Sequence, residues 1–583
     1  MRSKYPLLEA FCGLKARSSR SDAFRIYIVC GFIGRLNRGV PVRSLECGLA
    51  FLARRGPDSN QLRATADGRV EFLHARLAIV DRSATAHQPL VDPVSGVMVA
   101  FVGEIYNYAE LRRELGDYPF RTESDTEVLL AGYVLHGIRW MERLRGMFAV
   151  AIADERRRQL FLLRDPVGKK PLFVGRWRDG IYFGTTLLAM VSGTAEPMPM
   201  DTTRIDDWWR DGHFPAGASA LVSTEPVPPG EVWEFDWDGT CVTRQRCEPT
   251  IPAPTPPRSV AEATDQLTYL LTQAVHRRLD NNPKPIALLS GGVDSTVLGE
   301  LLVAQTKPEF LTLGNFIPGT FDELYARYAG RRMGVPLKVL RPNTGSLPDE
   351  ITRALALQDE PLALFSFLPL AMLCRLATDY GRVLLTGDGG DEVFLGYGKP
   401  ADWSARPADL GTGKGVELRC GPPLPAWFGG WARHTVTEGL IGHMHARLDR
   451  ASAEQGLETR CPFLDWDVMV FARSLPREIL FHRPVAKALL KSQLAHWPRW
   501  FVDRPKMGFS YSLRWGWGWQ GFAGLREMIE PEAQATFATR LPRELLAASH
   551  EWSSATILRH FGGVWRLAVW SLFLRRLRAA ERR

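Results

Sequence analysis

Residues 288–295 read Leu-Leu-Ser-Gly-Gly-Val-Asp-Ser, and the reading of this stretch decides the second half of the chain. An apolar run, PIALLS (285–290), leads straight into two glycines, and a helical pattern, STVLGELLVAQ, begins at Ser295. Small residues between a buried strand and a helix let backbone N–H groups converge on an anion, and the helix N-terminus adds its positive dipole end. The Ser290 and Ser295 hydroxyls can bond phosphate oxygens, and Asp294 can hold a magnesium ion on its way to them. The lysine of the GxxxxGK[ST] loop is missing, so the stretch is not that of enzymes that cut the β–γ bond.

Working outward, strands and helices alternate. VAEATDQLTYLLTQAVHRRL precedes the loop, and FLTLGNF, ELYARYAGRRMG and RVLLTGDGGDE follow it. Alternation of this kind predicts an α/β doubly wound parallel sheet with its ligand site at the strand C-termini. A second glycine-rich turn, LLTGDGGDEVFLGYG (384–398), carries Asp388, Asp391 and Glu392 directly after an apolar strand. Three acids so placed need a cation or a substrate ammonium to compensate them. The pair of turns therefore suits magnesium–ATP beside a carboxylate or amine substrate.

Before residue 248 the texture differs. RVEFLHARLAIVD, GVMVAFVGEIYN, GMFAVAIADERRRQLFLLRD and DGIYFGTT read as hairpin strands, and SDTEVLLAGYVLHG reads as a helix with a Ser/Asp cap. This predicts an α+β domain of layered sheets and helices. EPTIPAPTPPRS (248–259) holds five prolines, which disfavour helix and central strand, and it reads as a linker. The expected division is an extension over 1–29, a first domain over 30–247, the linker, and a second domain over 260–583.

Composition narrows the function. The chain has 583 residues, 45% apolar and 23% charged, which fits soluble globular domains. Its formal charge of +9 is spread along the chain, so nucleic acid is not an expected partner. Eight cysteines show no metal-ligand spacing and fit a reducing cytoplasm. No apolar run reaches the ~20 residues that span a bilayer. The C-terminal VWRLAVWSLFLRRLRAAERR reads as a packed closing helix.

SGGVDS, TGDGGDEVFLGY, LDRASAEQGLETRCPFLD (448–465) and RPKMGF (504–509), in this order, resemble the synthetase domain of the class B asparagine synthetases. The resemblance implies adenylation: a side-chain carboxylate attacks the α-phosphate of ATP, pyrophosphate leaves, and an amine displaces AMP. Carried over by motif, Leu289, Ser290, Gly291, Gly292, Asp294, Ser295 and Gly387 would bind ATP and pyrophosphate. Asp294 and Asp391 would hold Mg²⁺, Lys506 would neutralise developing charge, and Asp388 would stand where the family commonly has Glu, as a base or substrate contact. Arg460 is expected in a buried ion pair with Glu458 or Asp465.

RRGPDS (54–59), HARLAIVD (74–81), HQPL (87–90), GEIYN (103–107), SDTE (124–127), RGMFAVAI (145–152) and RDPVGKKPLF (164–173) resemble the family's glutaminase domain, of N-terminal-nucleophile type. There an N-terminal cysteine, its own α-amine serving as base, attacks glutamine's amide and releases ammonia. Cys30 would be that nucleophile. Arg55 would bind the glutamine carboxylate, Glu104 or Asp125 its ammonium, and the Gly103 N–H would serve the oxyanion. Two features depart from the pattern. Val102 replaces the asparagine that donates the other oxyanion hydrogen bond, a loss worth about 2.7–4 kcal/mol of transition-state stabilisation. Cys30 also follows 29 residues, which a translation start at Val29, read from a GTG codon, would explain.

The family's peptide-cyclising branch, the lasso-peptide cyclases, activates an Asp or Glu side chain and closes it onto the peptide's own N-terminal amine. Such an enzyme needs no ammonia, so its glutaminase site can decay. The expected function is an amide ligase of that branch, with a precursor peptide and its processing protease as partners and a homo-oligomer compatible with the sequence. The alternative is a glutamine-hydrolysing asparagine synthetase. Retention of Asp294, Asp391 and Lys506 speaks against a non-catalytic scaffold.

Overall fold

In the computed structural model the described residues are 30–37, 43–53, 55, 56, 58–77, 81, 83–178, 180–252, 254–279, 285–314, 321–342, 347–397, 420–428, 435–437, 439–504 and 524–583. The extension over 1–29, Val29 included, and the expected catalytic Lys506 lie outside them.

The first domain holds twelve strands: β1 (Gly31–Asn37), β2 (Ser59–Ala64), β3 (Val70–Arg76), β4 (Leu90–Val91), β5 (Met98–Ile105), β6 (Gly146–Asp154), β7 (Gln159–Arg164), β8 (Phe173–Trp177), β9 (Gly180–Gly184), β10 (Thr224–Pro226), β11 (Glu231–Asp236) and β12 (Cys241–Arg246). They form two six-stranded sheets, in the orders β10-β8-β9-β1-β3-β2 and β12-β11-β7-β6-β5-β4. Period-two alternation stacks them face to face. Along β5, Met98, Ala100 and Val102 enter the core between the sheets with Phe32 and Leu36 of β1. Val99, Phe101 and Ile105 face helix α1 (Asp125–His136) and its neighbours on the outer side. Ser124 caps α1 by accepting from the Glu127 N–H at 3.2 Å, as the sequence predicts, and Gly137 (φ +76) ends it in a backbone conformation that favours glycine.

Residues 248–252 and 254–259 form neither helix nor strand. Helix α2 (Val260–Leu279) then opens a domain whose five strands, β13 (Ile286–Leu288), β14 (Glu309–Leu313), β15 (Leu337–Leu340), β16 (Val383–Leu385) and β17 (Glu458–Arg460), lie parallel in the order β15-β14-β13-β16-β17. Order reverses at β13, whose neighbours are β14 on one side and β16 on the other. Such a switch point opens a crevice at the strand C-termini. Both glycine-rich turns leave that crevice, one after β13 into helix α3 (Val293–Val303) and one after β16.

Helix α4 (Ala446–Ala453) and β17 carry the second domain's charged face onto the first. The closing helix, α5 (Phe561–Arg582), is a core element as expected: Trp570 packs on Trp208 of the first domain with ring centroids 4.6 Å apart. Trp208, Trp233 and Trp570 are fully buried, so these indoles fill cores rather than line a cavity. Among the described residues no helix is long and apolar enough to cross a membrane.

Candidate functional site

The two turns meet because small residues let them. At Gly291 (φ +71) a side chain would stand 2.5 Å from the Tyr325 carbonyl carbon. A Cβ on Gly387 would lie 3.0 Å from that of Asp294, and one on Gly390 would lie 2.6 Å from the Asp294 carboxyl carbon. Glycine at 387 and 390 lets the acidic turn close on Asp294, and glycine at 291 lets the first turn pass the backbone at Tyr325. Within the first turn the Ser290 N–H donates to Ser295 Oγ at 3.2 Å, the Gly292 N–H donates to Ser290 Oγ at 3.3 Å, and the two hydroxyls lie 3.1 Å apart. Ser290, Gly291, Gly292 and Ser295 thus gather around the N-terminus of α3, with Leu289 fully buried beneath them.

Asp294 and Asp391, the expected magnesium ligands, are brought together. Lys487 Nζ lies 2.5 Å from Asp294 Oδ2 and 2.6 Å from Asp391 Oδ1. Burial opposes the lysine's charge, but the two carboxylates outweigh it and hold the ammonium protonated. The two carboxylates thus meet on one ammonium. Among the described residues no group of three or more potential metal ligands gathers. Asp388 points elsewhere: Arg447 holds it at 3.2 Å and also donates to Ser366 Oγ at 3.1 Å. Glu392 accepts from Tyr397 at 2.6 Å, and burial pushes its carboxyl up to about 7, with Asp391 adding to the shift.

Sequence reasoning missed Lys487 and Arg447. Lys487 lies in RPVAKALLKSQ, which reads as an ordinary amphipathic helix, and its left-handed backbone (φ 57) has no sequence signal. Arg447 sits one residue before the quoted LDRASAEQG run, so extending that motif upstream finds it.

A cavity surrounds Cys30 and is lined by Arg76, Gln88, Gly103, Glu104, Asp125 and Glu458, among others. The thiol accepts from the Leu77 N–H at 3.0 Å, and burial pushes it up to about 11. Gly103 (φ +138) passes so close to the Met147 carbonyl oxygen that a Cβ would stand 1.9 Å away. Asp125 accepts from the Ile105 N–H at 3.1 Å; burial, with Glu458 adding to it, pushes the carboxyl up to about 7. Glu104 is raised as well, by burial against the pull of Arg460. The Arg460 guanidinium lies 3.1 Å from Glu104 and 2.8 Å from Glu458. Arg460 is therefore in the buried pair expected with Glu458, while Asp465 is taken by Arg277 and Arg278, at 2.6 and 2.7 Å.

One expected member of the glutamine set is elsewhere. Arg55 was expected on the glutamine carboxylate, but its buried guanidinium lies 2.6 Å from Asp449 and 3.7 Å from Glu454, and it does not line the Cys30 cavity. The carboxylates that α4 and the residue after it bring across the interface are stronger partners for a desolvated guanidinium than an open pocket. Val102 is fully buried in the apolar core between the sheets and supplies no donor. Arg76, on the cavity wall, is a basic residue that sequence reasoning missed.

Two family models match this chain: a glutamine amidotransferase domain over residues 29–245 and asparagine synthase over 266–418 and 431–572. The chain belongs to the asparagine synthase family. Asparagine synthetases [glutamine-hydrolyzing] 1 and 2 of Bacillus subtilis (strain 168) are each 26% identical to it, over 569 and 553 residues. The first alignment covers 83% of this chain and 87% of the relative, the second 83% and 72%. That of Asparagus officinalis is 26% identical over 527 residues, 84% of this chain and 78% of its own. A glutamine phosphoribosylpyrophosphate amidotransferase structure from B. subtilis, with ADP and GMP, aligns at 14% identity and a TM-score of 0.29 over 61% of this chain and 81% of its own, too distant to carry an argument. As an asparagine synthase family member the protein is an ATP-dependent, AMP-forming carbon–nitrogen ligase, with an amidotransferase domain of layered sheets ahead of a parallel-sheet synthetase domain.

Proposed function

We propose that the protein adenylates an Asp or Glu side-chain carboxylate and transfers it to an amine that does not come from glutamine. The observation that carries this reading is the contrast between the two sites. The loops around Asp294 gather Ser290, Gly291, Gly292 and Ser295 at a helix N-terminus and set Asp294 beside Asp391, which supports an adenylation site there. The Cys30 cavity has a protonated thiol, an apolar Val102 and no Arg55.

In the proposed reaction the Ser290–Ser295 turn holds the β- and γ-phosphates with its N–H and hydroxyl groups. Asp294 and Asp391 would hold magnesium, which offsets the charge of the leaving pyrophosphate when bound. The substrate carboxylate attacks the α-phosphorus, the bond to the β-phosphate oxygen breaks, and an acyl-adenylate forms in the crevice. The amine attacks the acyl carbon and loses a proton, AMP leaves, and an amide remains. Arg447 orients Asp388 at the crevice edge, where that carboxylate can accept the amine's proton. Lys506 keeps its expected role on the phosphates.

The specific form we propose is a peptide macrolactam cyclase, in which acid and amine belong to one precursor peptide. Incubation of the protein with ATP, magnesium and a short peptide bearing an internal Asp or Glu tests it. Loss of one water from the peptide with release of AMP supports the reading; AMP release with aspartate alone as acid, and none with peptides, overturns it. A second reading, a glutamine-hydrolysing asparagine synthetase, is favoured by the retention of Cys30, Gly103, Glu104 and Asp125 around one cavity and by the likeness to the glutamine-hydrolysing asparagine synthetases.

A further inference from the structure

Lys487 joins the two carboxylates that the proposed function gives to magnesium, and the surroundings are shaped around that junction. Its side chain is 9% exposed and each carboxylate 19%. A Cβ on Gly396 would lie 1.8 Å from Asp391 Oδ1 and 2.3 Å from Lys487 Cε, so glycine there makes room for the lysine stem. Lys487 adopts a left-handed backbone at the start of the helix Ala488–Ser492, an orientation a non-glycine residue takes only when its surroundings over-determine it.

A divalent ion and this ammonium compete for the same oxygens. Metal entering alone would leave a buried ammonium without its counter-charges, a costly state. Metal entering with a nucleotide brings phosphates that can take up the displaced ammonium. Of the nearby cations, Lys491 and Arg483 are held by Asp503, and Arg447 by Asp388. We infer that Lys487 is an internal counter-ion that keeps divalent metal out of the Asp294–Asp391 pair until the nucleotide phosphates arrive, making metal entry conditional on nucleotide. This rests on the assignment of those aspartates to the nucleotide's metal.

The test is Mn²⁺ binding to the full chain, followed by electron paramagnetic resonance without nucleotide and then with α,β-methylene-ATP. Wild type should leave Mn²⁺ free without nucleotide and bind it with the analogue. K487M should bind Mn²⁺ alone at least about tenfold more tightly than wild type, because the competing charge is gone. K487R, which disturbs packing but keeps the charge, should behave as wild type, and D391N/K487M should lose the gain. Should K487M not fold in metal-free buffer, Mn²⁺ must restore its melting transition. Wild type binding Mn²⁺ alone as tightly as K487M, or K487M showing neither gain nor rescue, overturns the inference. Binding of Mn²⁺ with the analogue by wild type would leave the nucleotide site standing in that case; its absence would overturn both.

Discussion

Arg460 and Glu104 belong to different domains and form a buried ion pair at 3.1 Å, while the Arg460 backbone carbonyl accepts from the Thr386 N–H at 3.0 Å. One residue thus holds two wall carboxylates of the Cys30 cavity through its side chain and the start of the acidic turn through its backbone. With Arg460 removed, Glu104, Glu458 and Asp125 would be buried together without their shared counter-charge. Arg460→Met should cost about 3–5 kcal/mol of stability at neutral pH. Because Glu104 and Asp125 then take up protons more readily, the loss should shrink at pH 5.5. Urea unfolding of the full chain at the two pH values checks both statements, and an equal loss at both would show that charge burial is not the cause.

Asp294→Asn should reduce ATP–pyrophosphate exchange at least about a hundredfold, since it removes one of the two carboxylates beside the phosphate turn. Circular dichroism should stay native. Exchange near the wild-type rate would remove Asp294 from the chemistry.

Cys30 should behave as a half-buried, protonated thiol. With its pKa near 11, alkylation by iodoacetamide should be slow at pH 7 and rise about tenfold per pH unit up to pH 10. Cys30→Ala should leave amide formation from a supplied amine unchanged. Fast labelling at neutral pH, followed by mass spectrometry, would reveal an activated nucleophile instead.

His74 gives an acid-side prediction. Its ring is fully buried, one nitrogen lies 3.0 Å from the Phe101 carbonyl oxygen, and burial lowers its pKa from 6.5 to about 4. The unfolded chain binds a proton that the fold refuses, so stability is lost as pH falls from 6.5 towards 4 and levels off below. The contribution is about 3 kcal/mol. His74→Gln should remove it, which the difference between the two proteins' pH–stability curves measures.

The parallel sheet and its crevice were legible because PIALLS and RVLL end in glycine-rich turns, and strand, glycine and helix cap are local signals. The layered first domain was legible for a similar reason, since the alternation along GVMVAFVGEIYN is what stacks β5 between two cores. The pairings that cross the interface were not. Whether Arg55 meets a ligand or Asp449 depends on residues 394 positions apart in sequence. Lys487 was missed because a lysine in an amphipathic run carries no mark of the carboxylates that its backbone turn brings near. Among the expected glutamine residues, Gly103, Glu104 and Asp125 share the Cys30 cavity because the end of strand β5 and the start of the capped helix α1, 20 residues on, place them together.

The most direct measurement is asparagine formation from aspartate, ATP and glutamine labelled with ¹⁵N in its amide. The predicted result is no labelled asparagine, with AMP and pyrophosphate released when a suitable acid and free amine are supplied together. Labelled asparagine, accumulating in step with AMP, would contradict it.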